Sequence, residues 1–334
     1  MSAFTLHVGD CREVMRSMPE SSVQCCVTSP PYFGLRDYGV SGQIGQEESP
    51  EAFVEIMVDV FREVRRVLRP DGTCWMNLGD SYAGAAGGFQ GQTGQRASRT
   101  FTARTKGSLI PGGLAAKQLM GMPWRVALAL QADGWWLRQD IIWSKPNPMP
   151  ESVTDRCAKA HEYIFLLTKS PNYYFDQSSI AEPCSPNTHS RISQNLEAQL
   201  GSERANGGAK TNGRMKAVFK KGKTGAESGG SKNNPSFAAG TCLRVDSRNK
   251  RSVWTVPSAP YKEAHFATYP PDLIKPCILA GSRPGDVVLD PFGGSGTTGE
   301  VAIELGRRAV LIELNPKYAE LIRRRTSITP GLAL

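Results

Sequence analysis

The feature that most constrains the fold is a glycine-rich segment near the C-terminal end, flanked by two short apolar runs. Asp286–Asp290 has the composition of a buried strand, and Pro291–Thr298, which follows it, is rich in glycine. A helix over Thr298–Leu305 and a strand over Ala309–Glu313 complete a strand–turn–helix–strand unit. Such units build parallel sheets that are covered by helices, so we predict an α/β fold.

Three glycines of this turn have the spacing of a nucleoside-binding loop. Gly294, Gly296 and Gly299 fit the pattern G-x-G-x-x-G, and Glu313 ends the strand that follows. Glycine allows the backbone to approach a ligand, and a carboxylate at the next strand tip can bind ribose hydroxyls. A P-loop is disfavoured because no lysine follows the glycines. The pattern alone leaves open a dinucleotide cofactor, or a turn that needs glycine only for packing.

Apolar periodicity predicts five further strands and five further helices. The strands are Phe4–Val8, Val23–Thr28, Thr73–Leu78, Trp135–Trp143 and Glu162–Thr168. The helices are Cys11–Met18, Pro50–Leu68, Pro123–Ala132, Ala267–Ala280 and Pro316–Arg325. A turn at Arg69-Pro70-Asp71-Gly72 is predicted to end the helix that begins at Pro50. Strands that alternate with helices favour a parallel sheet with helices on both faces.

The positive charge of the chain is concentrated in one segment. The net charge is +9, and residues 191–251 contain thirteen Lys or Arg against four Asp or Glu. The same region, 183–250, is polar and rich in glycine, which indicates an insert or a small second domain. A localised basic segment indicates a polyanionic partner. Composition alone also allows a solvated segment without a partner.

A second motif, Ser29-Pro30-Pro31-Tyr32, follows a predicted strand and should therefore lie at the carboxyl edge of the sheet, where ligands bind. An exocyclic amine of a nucleobase is a poor nucleophile, because its lone pair is delocalised into the ring. The Ser29 hydroxyl and the Pro30 carbonyl can accept hydrogen bonds from such an amine. Tyr32 offers a flat face to an unstacked base. Taken alone, the four residues also fit a rigid turn.

The two motifs together, Ser29–Tyr32 and Asp290–Thr298, resemble the amino-group DNA methyltransferases of restriction–modification and phage systems. Their order is that of the permuted β group, in which the Ser-Pro-Pro-Tyr half precedes the cofactor-binding half. The resemblance covers residues 1–82, 117–183 and 251–325. It also includes the stretches Gly9-Asp10-Cys11, Arg69-Pro70-Asp71-Gly72, Gly134-Trp135, Ile142-Trp143-Ser144-Lys145-Pro146, His161-Glu162-Tyr163 and His265-Phe266-Ala267.

The resemblance implies a Rossmann-like, seven-stranded α/β methyltransferase sheet that is circularly permuted, with S-adenosyl-L-methionine as the cofactor. Residues 1–182 would form the catalytic half, with a Gly-rich loop at 83–113. The basic insert at 183–250 would recognise the target, and residues 251–334 would form the cofactor-binding half. Glu313 would bind the ribose hydroxyls, and Asp10 would lie near the adenine amine.

The resemblance also implies the site residues, and no metal is expected among them. The predicted catalytic residues are Ser29, Pro30, Pro31 and Tyr32. The predicted cofactor-binding residues are Asp10, Cys11, Phe266, Ala267, Pro270, Asp290, Pro291, Phe292, Gly294, Ser295, Gly296, Thr297, Thr298, Glu313 and Asn315. The predicted DNA-binding residues are Lys210, Arg214, Lys216, Lys220, Lys221 and Lys223.

The residue before Pro-Pro-Tyr bears on the choice of base. In this family a Ser there usually accompanies N4-cytosine methylation, and Asp or Asn usually accompanies N6-adenine methylation. We therefore predict N4 of cytosine, with N6 of adenine as the alternative. Double-stranded DNA is the expected partner, and a homodimer and a cognate restriction endonuclease stay open. Neither a signal peptide nor a membrane-spanning run is present, which predicts a cytoplasmic protein of a bacterial, archaeal or phage-infected cell.

Four other functions have weaker support. A C5-cytosine methyltransferase needs a cysteine nucleophile, for which Cys184 and Cys277 are the Pro-Cys candidates. A nicotinamide-linked dehydrogenase would explain the glycines and Glu313, but neither the Ser-Pro-Pro-Tyr motif nor the basic insert. A DNA-binding protein without activity would explain only the charge. RNA or protein amines are alternative substrates for the same chemistry.

Overall fold

The computed structural model describes residues 3–83, 113–184, 247–258 and 269–328. Most of the predicted Gly-rich loop and of the basic insert lies outside these ranges. Residue contacts divide the chain into two compact units. The first unit comprises Met1–Ile180 and Arg251–Leu334, and the second comprises Ala181–Lys250.

The first unit is built around one eight-stranded sheet. Its strands are β1 (Phe4–Val8), β2 (Val23–Thr28), β3 (Leu68–Leu78), β4 (Trp136–Ser144), β5 (His161–Thr168), β8 (Val253–Thr255), β9 (Val287–Asp290) and β10 (Arg308–Glu313). They lie in the order β1-β10-β9-β2-β3-β5-β4-β8. Seven of them are the strands that apolar periodicity predicts, and the predicted α/β fold is confirmed. The eighth, β8, adds three residues to the sheet edge beside β4.

The direction of one strand differs from the parallel sheet that the sequence predicts. Strands β1, β10, β9, β2 and β3 are parallel to one another, but β5 runs antiparallel to both β3 and β4. The first residues of β5 therefore lie at the same sheet edge as the last residues of the parallel strands. This reversal brings the His161-Glu162-Tyr163 stretch to the edge where ligands bind.

Six helices accompany this sheet in the described residues. They are α1 (Cys11–Ser17), α2 (Pro50–Val67), α3 (Met122–Ala132), α4 (Pro271–Gly281), α5 (Thr297–Glu304) and α6 (Pro316–Ile328). Local sequence determines several of their starts: the Ser49 side chain accepts a hydrogen bond from the Ala52 N–H, and Pro50 occupies the first turn of α2. The predicted start of α4 at Ala267 lies outside the described residues.

Two hydrophobic cores cover the two faces of the sheet. On one face α2 buries a stripe that includes Phe53, Met57 and Val64, together with residues of α1 and α3. On the other face α4 and α5 pack their apolar side chains on the sheet. Strand β2 is buried along its whole length, with Cys26 in the first core and Cys25 in the second. Burial on both faces is typical of a central strand in an α/β sheet.

The prediction of a separate turn at residues 69–72 was wrong, because these residues form an irregular part of strand β3. Helix α2 ends at Val67, but β3 begins immediately at Leu68. Between the pairs Val23–Leu68 and Cys25–Thr73 the register shifts, so residues 69–72 protrude as an irregular bulge. Pro70 cannot donate to the sheet, which explains why pairing is interrupted there.

The second unit contains a two-stranded antiparallel sheet of β6 (Glu182–Pro183) and β7 (Ser247–Arg248) in its described residues. Arg248 and Lys250 both form ion pairs with Glu182. In the described part of the chain, no helix combines the length and apolarity needed to cross a membrane.

Candidate active site

Four adjacent parallel strands end at the candidate site. Strands β1, β10, β9 and β2 are neighbours in the sheet, and their carboxyl ends lead into Asp10, Glu313, Asp290 and Ser29 respectively. Neighbouring strands are separated by about 4.8 Å, so this row of residues spans about 14 Å. An elongated ligand lying along this edge would contact the ends of all four strands.

The glycine-rich turn follows β9 and adopts a backbone that needs glycine. Gly294 has φ +54° and Gly296 has φ +83°, both in the left-handed region. A Cβ at Gly296 would also lie 3.3 Å from the Ile322 side chain of α6. The turn therefore fits closely against α6, and Gly296 caps the start of α5.

Glu313, at the tip of β10, is the carboxylate next to this turn. Its two oxygens accept hydrogen bonds from the backbone N–H groups of Gly294 and Asn315, both at 2.8 Å. Burial raises the pKa of Glu313 to about 6, and the hydrogen bonds oppose that rise. Glu313, the residue predicted to bind the ribose hydroxyls, is thus half-buried and held beside the glycines.

Asp10 follows β1, the neighbour of β10. Its carboxylate caps α1 by accepting from the Arg12 N–H at 2.8 Å, and it also pairs with the Arg12 guanidinium at 2.7 Å. These hydrogen bonds hold the pKa of Asp10 below its usual value. The Asp10 side chain remains 21% exposed at the end of the row opposite Ser29.

Asp290 is buried and bound entirely by protein groups. Its carboxylate accepts from the hydroxyls of Thr28 (2.6 Å), Thr298 (2.6 Å) and Tyr269 (2.9 Å), and from the Phe292 N–H (3.0 Å). Burial raises the pKa of Asp290 to about 6. Its described contacts join the end of β2 to the glycine turn, so Asp290 shapes the site from beneath.

The other predicted cofactor-binding residues divide by exposure. Ser295, Thr297 and Thr298 are buried, and Arg325 donates to the hydroxyls of the first two. Gly294, Phe292 and Asn315 are half-buried and border the open side of the turn. Cys11, Pro270, Pro291 and Gly296 are buried, and Phe266 and Ala267 lie outside the described residues.

The Ser-Pro-Pro-Tyr corner follows β2, the strand that pairs with β9. Pro30 is buried, whereas Ser29, Pro31 and Tyr32 are half-buried. The Tyr32 hydroxyl donates to Glu162 Oε2 at 2.6 Å. The corner is therefore held to β5 through Tyr32.

Gly79, directly after β3, leaves the room that the Tyr32 ring occupies. A Cβ at Gly79 would lie 2.6 Å from Tyr32 Cε2, which is closer than atoms can approach. Sequence analysis assigned no role to Gly79, because its conformation is ordinary and the contact joins distant residues.

A cleft of about 300 Å³ begins beside Gly79. Its lining residues are Asp80, Tyr82, Leu119, Cys157, Ala158, Lys159, Ala160, His161 and Tyr163. Burial lowers the pKa of Lys159, and Arg156 lies over the Tyr82 ring at 4.1 Å. Aromatic rings combined with cations are the groups that contact unstacked nucleotides in nucleic-acid-binding proteins.

Sequence analysis missed two residues that organise the site, Thr28 and Glu162. It placed Tyr269 only within the stretch 266–270 that the family resemblance assigns to the methionine end of the cofactor. The stretch His161-Glu162-Tyr163 was noticed as family-like, but its role needed the direction of β5. The hydrogen bond between Thr28 and Asp290 joins residues 262 positions apart. No local pattern reports such a contact.

The remaining candidates are outside the site or outside the described residues. Cys277, a candidate nucleophile, is buried in α4 within the second core, 1% exposed. Cys184 belongs to the second unit. Among the described residues, no group of His, Cys, Asp or Glu is arranged to hold a metal ion. The six predicted DNA-binding residues between 210 and 223 lie outside the described ranges.

The residues at this edge suit S-adenosyl-L-methionine. Carboxylates at Glu313 and Asp10 can accept hydrogen bonds from ribose hydroxyls and an adenine amine, and the glycine turn allows close backbone approach. Fold and site together define the class as an α/β methyltransferase that uses S-adenosyl-L-methionine. Its two halves occur in permuted order along the chain.

Comparison with known proteins gives the family. The chain belongs to the DNA methylase family of N6 and N4 methyltransferases, whose family model matches residues 23–324. The Type II methyltransferase M.Cfr9I of Citrobacter freundii is 41% identical over 325 residues, covering 97% of this chain and 88% of that protein. M.SmaI of Serratia marcescens is 42% identical over 318 residues, covering 95% and 89%.

Solved structures of similar proteins agree with the fold. The PvuII DNA methyltransferase (cytosine-N4-specific) superposes with a TM-score of 0.60 at 17% identity, covering 99% of this chain and 90% of that one. TTHA0409 from Thermus thermophilus, solved in complex with S-adenosyl-L-methionine, has a TM-score of 0.54 at 24% identity, covering 98% and 97%. At these identities the likeness concerns the fold.

Proposed function

We propose that this protein methylates N4 of cytosine within a specific sequence of duplex DNA, using S-adenosyl-L-methionine. The observation that carries the proposal is the direct pairing of β2 with β9, reinforced by the hydrogen bond from Thr28 to Asp290 at 2.6 Å. It joins the Ser-Pro-Pro-Tyr corner to the glycine turn. A base at the first would therefore lie next to a nucleoside cofactor at the second.

Each part of the corner has a role in this proposal. The target base leaves the duplex stack, at a cost of a few kcal/mol, and rests on the Tyr32 ring. Its amino group donates to the Ser29 hydroxyl and to the Pro30 carbonyl, whose direction the prolines fix. These acceptors increase the electron density on the amine. When bound, S-adenosyl-L-methionine supplies a methyl group on a positively charged sulfur.

Cofactor binding falls to the other half of the row. Glu313 accepts from the ribose hydroxyls, and Asp10 accepts from the adenine amine. Phe292 and the Gly294 backbone border the nucleoside. Residues 266–270 line the methionine end of the cofactor.

DNA binding falls to the basic insert at 183–250. Its Lys and Arg side chains contact phosphates and position the protein, and its polar groups read bases. A localised net charge of +9 supports this assignment. A cognate restriction endonuclease would recognise the same sequence.

The choice of cytosine rests on Ser29, which precedes Pro-Pro-Tyr where the adenine-specific form usually carries Asp or Asn. The test is to incubate duplex DNA with the protein and labelled S-adenosyl-L-methionine, and then identify the modified nucleosides by mass spectrometry. We expect N4-methylcytosine at one sequence. Detection of N6-methyladenine instead would show that adenine is the target base. Absence of both modified nucleosides would overturn the proposal.

The same assay separates this chemistry from a covalent C5 mechanism. The variants Cys184→Ala and Cys277→Ala should retain methyl transfer, because no cysteine acts as a nucleophile in the proposed reaction. Loss of transfer to DNA in either variant, with normal folding, would favour the C5 mechanism instead.

A further inference from the structure

We infer that the ion pair of Lys145 and Glu162 positions the Tyr32 hydroxyl and, through it, the Tyr32 ring on which the target base rests. The inference rests on the proposed function and adds positioning residues to it. Neither Lys145 nor Glu162 needs to touch the base. They act by fixing the direction of hydrogen bonds in the corner.

The sheet brings this pair to the corner. Because β5 is antiparallel, Glu162 lies at the carboxyl edge of β4, opposite Trp143 in the strand register. Lys145 follows β4 directly, and its N–H donates to the Ala160 carbonyl at 2.8 Å. Both side chains are therefore carried by paired backbone rather than by a free loop.

The pair is largely shielded from water. Glu162 is 15% exposed and Lys145 is 19% exposed, and their charged atoms are in direct contact. The Lys145 ammonium also lies 4.1 Å from the centre of the Trp143 ring. Within this ion pair the Glu162 carboxylate accepts hydrogen bonds from the Lys145 ammonium and from the Tyr32 hydroxyl.

The acceptors around Tyr32 determine where its proton points. Glu162 Oε2 is 2.6 Å from the Tyr32 hydroxyl and Asn77 Oδ1 is 3.3 Å from it. The amide nitrogen of Asn77 is turned away, because it donates to the Tyr163 carbonyl at 3.1 Å. Burial and the Glu162 carboxylate raise the pKa of Tyr32 well above its ordinary value, so the hydroxyl keeps its proton.

The Tyr32 ring is held at two points. The hydroxyl of Tyr32 is fixed by Glu162, and the Cε2 edge of its ring lies against Gly79, where an added Cβ would be 2.6 Å from it. The face of the ring on which the target base would rest is therefore fixed before the base arrives. A ring without these contacts could tilt and move the base away from the donor methyl group.

The decisive experiment is a double-mutant cycle on the full-length protein, with Tyr32→Phe, Glu162→Gln and the double variant. Tyr32→Phe keeps the ring and removes only the hydroxyl. A hydrogen bond to a charged group is worth about 1.5–3 kcal/mol, so each single variant should lower kcat about tenfold to hundredfold. KM for S-adenosyl-L-methionine should change by less than about twofold.

The two single losses should not add. In the Tyr32→Phe background, Glu162→Gln should lower kcat by less than about twofold, because the hydroxyl that Glu162 orients is gone. Glu63→Gln is the matched control, since Glu63 forms a half-buried ion pair with Arg66 on α2, away from the corner. It should leave kcat unchanged.

Wild-type kcat in either single variant, or losses that multiply in the double variant, would overturn the inference while the proposed function stands. Loss of kcat in the Glu63→Gln control, equal to that in Glu162→Gln, would also overturn it by showing a general effect of ion-pair loss. Absence of methyl transfer by the wild-type protein would overturn the proposed function and this inference with it.

Discussion

At the residue scale, two carboxylates at neighbouring strand tips have different tasks. Asp290 is buried beneath the turn, and its acceptor sites are taken by Thr28, Thr298, Tyr269 and a backbone N–H. Glu313 is half-buried at the open side. Asp290 therefore determines the shape of the site, whereas Glu313 is the carboxylate available to a ligand.

Cofactor affinity should depend on the ionisation of Glu313. Its pKa is raised to about 6 by burial, and an ionised carboxylate accepts hydrogen bonds more strongly than a protonated one. Affinity for S-adenosyl-L-methionine, measured by calorimetry, should therefore fall as the pH decreases from 8 through about 6. In Glu313→Gln the affinity should be weaker and independent of pH over this range. If Glu313→Gln kept the pH dependence of the wild type, Glu313 would not be the residue that binds the ribose hydroxyls.

Asp290 predicts a pH dependence of stability. Its folded-state pKa of about 6 lies above the ordinary 3.8, so its contribution to stability is fully present below about pH 4 and is lost as the pH rises through 6. The asparagine in Asp290→Asn does not ionise, so the stability of this variant lacks that pH-dependent contribution. The free energy of unfolding of the wild type, relative to this variant, should decrease by about 1–3 kcal/mol between pH 4 and 7. A constant difference in chemical denaturation would contradict the assignment.

At the element scale, the sequence predicted strands better than their directions. Alternating and continuous apolar runs identified seven strands, because burial of one or both faces dictates residue type. Apolar pattern does not encode direction, so the reversal of β5 was not predicted. Both site loops were located because each follows a strand. The contact of Glu162 with Tyr32 was not predicted, because it depends on the reversal of β5.

The close fit between the end of β3 and the corner gives a test of ring placement. Gly79→Ala would put a methyl group where the Tyr32 ring lies, so the ring must move. We expect kcat, measured by methyl transfer, to fall at least about tenfold. The affinity for S-adenosyl-L-methionine, measured by calorimetry, should not change.

Gly285→Ala is the control for this change. Gly285 has φ +84° and open space around its Cβ position, so this substitution lowers stability without contacting the site. It should retain the wild-type kcat at temperatures below unfolding. A Gly79→Ala protein with wild-type kcat would show that the ring position is not critical.

At the scale of the whole molecule, charge and chemistry occupy different stretches of the chain. The net charge of +9 lies within residues 191–251, whereas the corner and the turn lie near the two ends of the sequence. Charges in a segment that is distant in sequence from the site residues can be removed without altering those residues. DNA affinity and cofactor affinity should therefore respond to different substitutions.

Salt dependence tests the basic insert. Replacing Lys210, Arg214, Lys216, Lys220, Lys221 and Lys223 by Gln should weaken DNA binding and lower the slope of log affinity against log salt by about 0.9 for each lost phosphate contact. Cofactor affinity should not change. The control replaces Lys317, Arg323 and Arg324 of α6 by Gln. An equal loss of slope in that control would contradict a specific role of the insert.

The most direct measurement is a crystal structure of the protein with a cognate DNA duplex and an S-adenosyl-L-methionine analogue. The account predicts an extruded base on Tyr32, with its exocyclic nitrogen bonded to Ser29 and Pro30 and about 3–3.5 Å from the position of the donor methyl carbon. A nucleoside bound away from the glycine turn, or a base bound away from Ser29, would contradict it.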